Sequence, residues 1–162
     1  MDEVLRAAIA REQAEGQARD VRLELTTDGA APALTLDVPL VERAVANLLR
    51  NALSVSPPGG AVRLRRGVVE RPEGRPGRFI LIEVEDDGPG LPVALRADPF
   101  RAFESAAVGA RGAGLGLGLA LAREVACAHG GDLRVARSGP AGTCFALLLP
   151  VAEGHLRKGQ PS

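Results

Sequence analysis

The most informative stretch of this chain reads Val84-Glu85-Asp86-Asp87-Gly88-Pro89-Gly90-Leu91-Pro92. Apolar residues alternate along the segment that leads into it, which predicts a strand ending at Asp86. A carboxylate in that position can accept a hydrogen bond from an exocyclic amine such as that of adenine. Gly88 and Gly90 allow a tight turn and a close approach of the backbone to a flat ring. A solvent-exposed Asp-Gly turn accounts for the same residues, so this stretch alone leaves both interpretations open.

A strong amphipathic helix is predicted before that strand. Asp37 suits the N-cap, Pro39 suits the first turn, and the proline and glycine cluster at residues 57–60 ends the helix. Asn47 and Asn51 are four residues apart, so both amides project from one face. Two neutral carboxamide oxygens suit Mg²⁺, which keeps several waters and phosphate ligands. Two solvated asparagines are the simpler interpretation, although asparagine is a poor helix former.

A third stretch, Gly112-Ala113-Gly114-Leu115-Gly116-Leu117-Gly118, runs straight into a predicted helix over Leu115–His129. Clustered glycines before a helix expose backbone N–H groups, and the helix dipole favours anions there. The stretch therefore suits a phosphate cradle, with a flexible linker as the alternative. The glycine spacing of a dinucleotide-binding fold is absent.

The segment Asp98-Pro99-Phe100-Arg101-Ala102-Phe103 precedes that cradle and holds two of the four phenylalanines. Phe100 suits the anchor of an otherwise loose loop. Arg101 and Arg111 would reach phosphates from such a lid, or would simply be solvated.

Further elements follow from periodicity and turn signals. A helix is expected over residues 2–19, and short strands over residues 21–25, 33–37, 61–66, 79–85, 133–137 and 143–149.

Composition excludes several function classes. The 162 residues carry 20 Lys+Arg and 20 Asp+Glu, so neither nucleic acid nor an anionic membrane is an expected partner. Aromatics are 2%, with no Trp or Tyr, which excludes base-stacking platforms. No Gly-Lys-Ser/Thr triplet exists for a Walker-type loop. No apolar run reaches about 18 residues, and no basic leader is visible, so we expect a cytoplasmic domain.

The four motifs, taken in order, resemble those of the catalytic and ATP-binding domain of bacterial sensor histidine kinases, in the GHKL (Bergerat-fold) ATPase superfamily. The N box resembles residues 47–52, the G1 box residues 84–92, the F box residues 98–100, and the G2 box residues 112–117 continuing to residues 128–131. Gly142-Thr143-Cys144-Phe145 resembles the last box of that family.

The resemblance implies an α+β fold: a two-layer α/β sandwich with a mixed, mostly antiparallel sheet and helices on one face. It implies one catalytic and ATP-binding domain over residues 1–152. Residues 153–162 are expected to form a disordered tail.

The resemblance also implies roles for individual residues. Asn47 and Asn51 would be catalytic and would hold Mg²⁺. The nucleotide contacts would be Asn51, Asp86, Gly88, Gly90, Phe100, Arg101, Arg111, Gly112, Gly114, Leu115, Gly116, Leu117 and Thr143.

The implied function is binding of Mg-ATP and transfer of its γ-phosphate to a histidine on a dimerisation domain absent from this chain. A response regulator would act downstream. The domain would lie in the cytoplasm, whether or not the protein it belongs to is anchored in a membrane. The isolated domain would be monomeric and unable to autophosphorylate. Hydrolytic relatives and anti-sigma serine kinases place a Glu at Asn47, and an amide cannot take a proton at neutral pH. This favours histidine transfer over an anti-sigma-type serine kinase.

A second alternative is a degenerate nucleotide-binding docking module. It rests on three departures from the family pattern: Ser54 and Val55 replace a basic and an aromatic residue, and Ala97 replaces a phenylalanine.

Overall fold

Helices and strands follow one another along residues 1–70, 72–95, 99–100 and 115–151, which the computed structural model describes. The helices are α1 (Asp2–Arg19), α2 (Val38–Val55) and α3 (Leu115–Ala128). The strands are β1 (Arg22–Thr27), β2 (Ala61–Glu70), β3 (Arg78–Asp86), β4 (Asp132–Gly139) and β5 (Gly142–Pro150). Short 3₁₀ turns cover Pro72–Gly74 and Val93–Leu95.

The strands of the described residues form one sheet in the order β1-β2-β3-β5-β4. β1 runs parallel to β2, and the other neighbours are antiparallel. One face of the sheet and the apolar faces of α1, α2 and α3 share a single hydrophobic core. The predicted two-layer α+β sandwich, with a mixed, mostly antiparallel sheet and helices on one face, is thereby confirmed.

Helix α2 lies at the centre of the helical layer, packed between α1 and α3. Its start is fixed as predicted, because Asp37 Oδ1 accepts a hydrogen bond from Leu40 N at 3.1 Å. Its apolar stripe is fully buried, from Val41 to Leu53. This packing fixes which face of α2 turns towards α3, and therefore where Asn47 and Asn51 lie.

The strand predicted over residues 33–37 is absent. Those residues form no regular element, although Leu34 and Leu36 pack against the core as alternation predicts. β1 pairs with β2, and none of the sheet pairings includes residues 33–37. Alternating apolar residues indicate which side chains are buried, but a strand also needs a neighbouring strand to which it can hydrogen-bond.

The predicted tail over residues 153–162 lies outside the described residues, as does residue 152 at the end of the predicted domain. Within the described residues, no helix is long and apolar enough to span a bilayer.

Candidate functional site

A buried carboxylate stands at the end of β3. Asp86 is 1% exposed, on the face of the sheet that packs against the helices. Its Oδ1 accepts hydrogen bonds from Gly88 N at 2.8 Å and from Thr143 N at 3.1 Å. Burial raises the pKa of Asp86 above its ordinary value, while the two backbone donors oppose that rise. Its Oδ2 accepts no hydrogen bond from the part of the chain that the structure describes.

The turn after Asp86 depends on glycine at two positions. A Cβ at Gly88 would lie 2.7 Å from Asp86 Oδ1 and 2.9 Å from Val55 Cγ2. Gly90 has φ +82°, and a Cβ there would overlap the backbone of Gly139. The turn is therefore pressed between α2 and the end of β4 at distances that a side chain would not permit.

Asp86 lines a cavity of about 160 Å³. The polar lining residues are Asn51, Asp86 and Thr143, and the others are Val55, Gly90, Leu91, Pro92, Leu95 and Phe145. A largely apolar cavity with a few converging polar groups is the usual form of a small-molecule site.

The two asparagines lie one turn apart on α2 and are half-buried. Asn51 lines the cavity, and Asn47 faces α3, where a Cβ at Gly118 would lie 3.4 Å from Asn47 Cβ. The glycine lets α3 approach this face of α2 closely. Two neutral oxygen donors beside such a cavity fit Mg²⁺ held mainly by phosphate oxygens and water.

The carboxylate next to Asp86 has a different environment. Asp87 pairs with Arg63, at 2.7 Å between Oδ1 and Nη1, and its Oδ2 accepts from Ala61 N at 2.9 Å. The hydrogen bond from Arg63 lowers the pKa of Asp87. Asp87 thus fastens the strand end, and Asp86 is the carboxylate that faces the cavity.

Four of the predicted site residues meet at this cavity: Asn51, Asp86, Gly90 and Thr143. Gly88 lies directly behind it, in contact with Asp86. Asp86 and Thr143 are far apart in sequence, and the sheet brings them together because β5 lies beside β3.

Phe100 lies in the core, 8% exposed, instead of lining the cavity. Its ring meets Phe145 edge-on at 6.4 Å between centroids, and Arg123 Cζ lies 4.8 Å from its centre. Phe145 itself lines the cavity, so Phe100 supports the wall from behind.

The remaining predicted residues belong to the segment before α3. Leu115, Gly116 and Leu117 form its first turn, which is where the predicted phosphate cradle enters the helix. Arg101, Arg111, Gly112 and Gly114 lie outside the described residues.

The apolar walls were not predicted as site residues. Val55 follows Asn51 by one helical turn, and Phe145 follows Thr143 by two residues along a strand, so helix and strand periodicity would have found both. Leu91 and Pro92 lie within the quoted glycine-rich stretch. Leu95 follows in the 3₁₀ turn, and no sequence pattern indicates it.

Comparison with known proteins shows the family of the chain. The model of the histidine kinase-, DNA gyrase B- and HSP90-like ATPase family matches residues 36–153. The chain is 38% identical over 137 residues to the alginate biosynthesis sensor protein KinB of Pseudomonas aeruginosa, covering 85% of this chain and 22% of KinB.

Solved structures agree as well. The mycobacterial sensor histidine kinase MprB is 33% identical, with 93% of both chains covered and a TM-score of 0.71. The catalytic domain of histidine kinase ThkA shares the fold at 18% identity, with a TM-score of 0.74 over 93% of this chain and 92% of that one.

The chain therefore belongs to the histidine kinase-, DNA gyrase B- and HSP90-like ATPase family, and within it to the catalytic and ATP-binding domains of sensor histidine kinases. The resemblance stated from the sequence motifs is confirmed. The chain spans about a fifth of the length of KinB.

Proposed function

We propose that this chain binds Mg-ATP in the cavity beside Asp86 and transfers the γ-phosphate to a histidine on a dimerisation domain outside the chain. One observation carries the proposal. A buried carboxylate turns one oxygen to two backbone donors and leaves the other to an apolar cavity that Asn51 also lines. A carboxylate oxygen that lines a largely apolar cavity and has no donor among the described residues is a natural partner for a donor group on a ligand.

The adenine ring would lie in the apolar slot. Asp86 would accept a hydrogen bond from the exocyclic amine through Oδ2, and Thr143 would lie beside it. Val55, Leu91 and Phe145 would cover the faces of the ring. Burial of a flat ring between aliphatic and aromatic side chains supplies affinity, and the carboxylate supplies orientation.

The phosphates would extend from the slot towards α2 and the start of α3. Asn47 and Asn51 would hold Mg²⁺ through their amide oxygens. The N–H groups at the start of α3, with Gly112, Gly114 and Gly116, would bind phosphate oxygens. Bound Mg²⁺ would supply charge neutralisation for phosphoryl transfer.

The charges of α2 support transfer over hydrolysis. An amide at Asn47 cannot act as a general base. The carboxylate that α2 does contain, Glu42, pairs with Arg11 at 3.4 Å. A neutral imidazole supplied by another domain attacks through a ring-nitrogen lone pair and does not require a base at Asn47, whereas a hydroxyl acceptor would.

The histidines of the chain support an acceptor elsewhere. His129 Nε2 accepts a hydrogen bond from Asp37 N at 3.0 Å, and its Nδ1 lies 2.7 Å from Val125 O. Both ring nitrogens are thus engaged, and the Nε2 hydrogen bond joins the end of α3 to the start of α2. His155 lies outside the described residues.

The partners follow from the same proposal. The acceptor would be the dimerisation and histidine-phosphotransfer domain of the same kinase, and a response regulator would receive the phosphoryl group afterwards. The domain would work in the cytoplasm, whether or not its parent is anchored in a membrane.

Phosphotransfer tests the proposal directly. The chain is mixed with Mg²⁺, γ-labelled ATP and the dimerisation domain of its full-length parent, and the label on that domain is followed. We expect acid-labile labelling of a histidine, and no labelling of the chain alone. Asn51→Ala should lower the rate at least about tenfold, because it removes a metal ligand. Arg6→Ala, an exposed change on α1, serves as the matched control and should leave the rate unchanged.

Other outcomes identify other functions. Labelling of serine on a partner protein would indicate an anti-sigma-type serine kinase. Tight nucleotide binding with no transfer would indicate a docking module. Ser54 gives that alternative a structural basis, because its Oγ donates to Asn51 O at 2.7 Å and offers no cation to a phosphate.

A further inference from the structure

A hydroxyl pair stands behind the wall of the nucleotide cavity. Ser138 is the penultimate residue of β4 and pairs across the hairpin with Thr143 near the start of β5. Their oxygens are 3.3 Å apart, and Ser138 Oγ accepts a hydrogen bond from Leu91 N at 2.7 Å. Leu91 and Thr143 both line the cavity, and Ser138 does not. Ser138 therefore influences the cavity through its hydrogen-bond partners Leu91 and Thr143.

The surroundings of this pair are fixed. Thr143 is 4% exposed, and its backbone N–H is bound to Asp86 Oδ1. Gly90 lies so close to Gly139 that a Cβ would overlap the backbone there. The glycine turn is thus held at one end by Asp86 and at the other by Ser138. This leaves little freedom in how the two hydroxyls face each other.

The proton of Ser138 has a limited choice of acceptor. Leu91 N is a donor and cannot take it, whereas Thr143 Oγ1 is within reach. If Ser138 donates to Thr143, the proton of Thr143 is directed away from Ser138 and into the cavity. The cavity then presents an acceptor, Asp86 Oδ2, beside a donor, Thr143 Oγ1.

Purines differ in the edge that would meet this pair. A 6-aminopurine presents an amine donor next to a ring-nitrogen acceptor, which complements an acceptor beside a donor. A 6-oxopurine presents an oxygen acceptor next to an N–H donor, which opposes both groups. The direction of the Thr143 hydroxyl therefore contributes to the choice between the two kinds of base.

We propose that Ser138 is a positioning residue that fixes Thr143 as a donor into the cavity, and so favours 6-aminopurine over 6-oxopurine nucleotides. This inference rests on the proposed function, because it requires a purine nucleotide in the cavity.

The test compares dissociation constants for ADP and inosine diphosphate in the presence of Mg²⁺, by calorimetry on the whole chain. The unsubstituted chain should bind ADP more tightly than inosine diphosphate. Ser138→Ala should reduce the ratio of the two constants about fivefold, mainly by weakening ADP. Ser138→Thr keeps a hydroxyl and should restore the ratio. Thr143→Val should reduce the ratio as Ser138→Ala does, and the double variant should show no further loss.

The outcomes separate this inference from the proposed function. If Ser138→Ala weakens ADP and inosine diphosphate equally, Ser138 is only structural and the inference is overturned. Additive losses in the double variant would overturn it too, because Ser138 would then act independently of Thr143. If the unsubstituted chain binds neither nucleotide, the proposed function fails and the inference fails with it. Thermal melts of each variant show that the chain is folded at the titration temperature.

Discussion

Asp86→Asn is expected to separate the stability of the domain from its affinity for nucleotide. Burial raises the pKa of Asp86, so the folded chain binds this proton more readily than the unfolded chain. Stability therefore falls as pH rises through the interval between the ordinary carboxyl pKa and the folded one. At neutral pH the charge is a net cost, and a neutral amide removes it. Asn can keep Oδ1 as the acceptor for Gly88 N and Thr143 N, so we expect an unchanged or higher melting temperature without nucleotide.

The same change should weaken nucleotide binding. It replaces the charged acceptor that faces the cavity with an amide nitrogen, which would meet the amine of the base as a second donor. Losing a hydrogen bond to a buried charge costs about 1–3 kcal/mol, or about five- to 150-fold in Kd. Calorimetric titration with ADP and Mg²⁺ measures the affinity, and scanning calorimetry measures the stability.

Asp87→Asn is the matched control, one residue further along the chain. Its pKa is lowered by Arg63, so its charge contributes stability above the ordinary carboxyl pKa, and that contribution is lost as pH falls through the folded pKa. The control should lose up to about 1 kcal/mol of stability at neutral pH and keep its affinity for ADP. The reasoning about the cavity carboxylate would be refuted if Asp86→Asn bound ADP as tightly as the unsubstituted chain does. A melting temperature well below that of the unsubstituted chain would refute it too.

Three further changes test the framework around the site. Gly90→Ala should lower the free energy of unfolding in urea by at least about 1 kcal/mol, because φ is +82° and the backbone of Gly139 occupies the space. Arg66→Met should cost about 3 kcal/mol in the same assay, since this fully buried guanidinium holds the Asp2 carboxylate and two backbone carbonyls. Cys144 is buried with its pKa raised to about 11, so a thiol reagent at pH 8 should modify the exposed Cys127 quickly and Cys144 only after unfolding.

The helices were predictable because their signals are local. Asp37 caps α2 as predicted, and the predicted helix over residues 2–19 matches α1. The ends of strands were harder to predict from the sequence. β2 extends to Glu70, beyond the predicted end at residue 66, because residues 67–70 find partners on β3. Residues 33–37 show the opposite case, because their apolar residues alternate as in a strand but no neighbouring strand among the described residues pairs with them. Pairing is a tertiary property, and a local pattern does not contain it.

The site shows the same division. Asp86 and Asn51 could be proposed from the sequence because each lies in a motif with a distinctive composition. Thr143 was placed beside the base only through the family resemblance, because nothing within its own strand indicates contact with Asp86. Ser138 went unrecognised, since its role depends on a cross-strand pair and on a backbone donor 47 residues away. Chemistry-bearing residue types can be found from sequence, whereas the groups that orient them require the folded chain.

The location of the nucleotide base tests the account most directly. A crystal structure of the chain grown with Mg²⁺ and a non-hydrolysable ATP analogue would provide it. We expect the exocyclic amine within hydrogen-bond distance of Asp86 Oδ2, the ring between Val55 and Phe145, and Mg²⁺ on the side of Asn51. A base bound elsewhere, or a cavity closed by the chain's own side chains while the analogue is bound, would contradict the account.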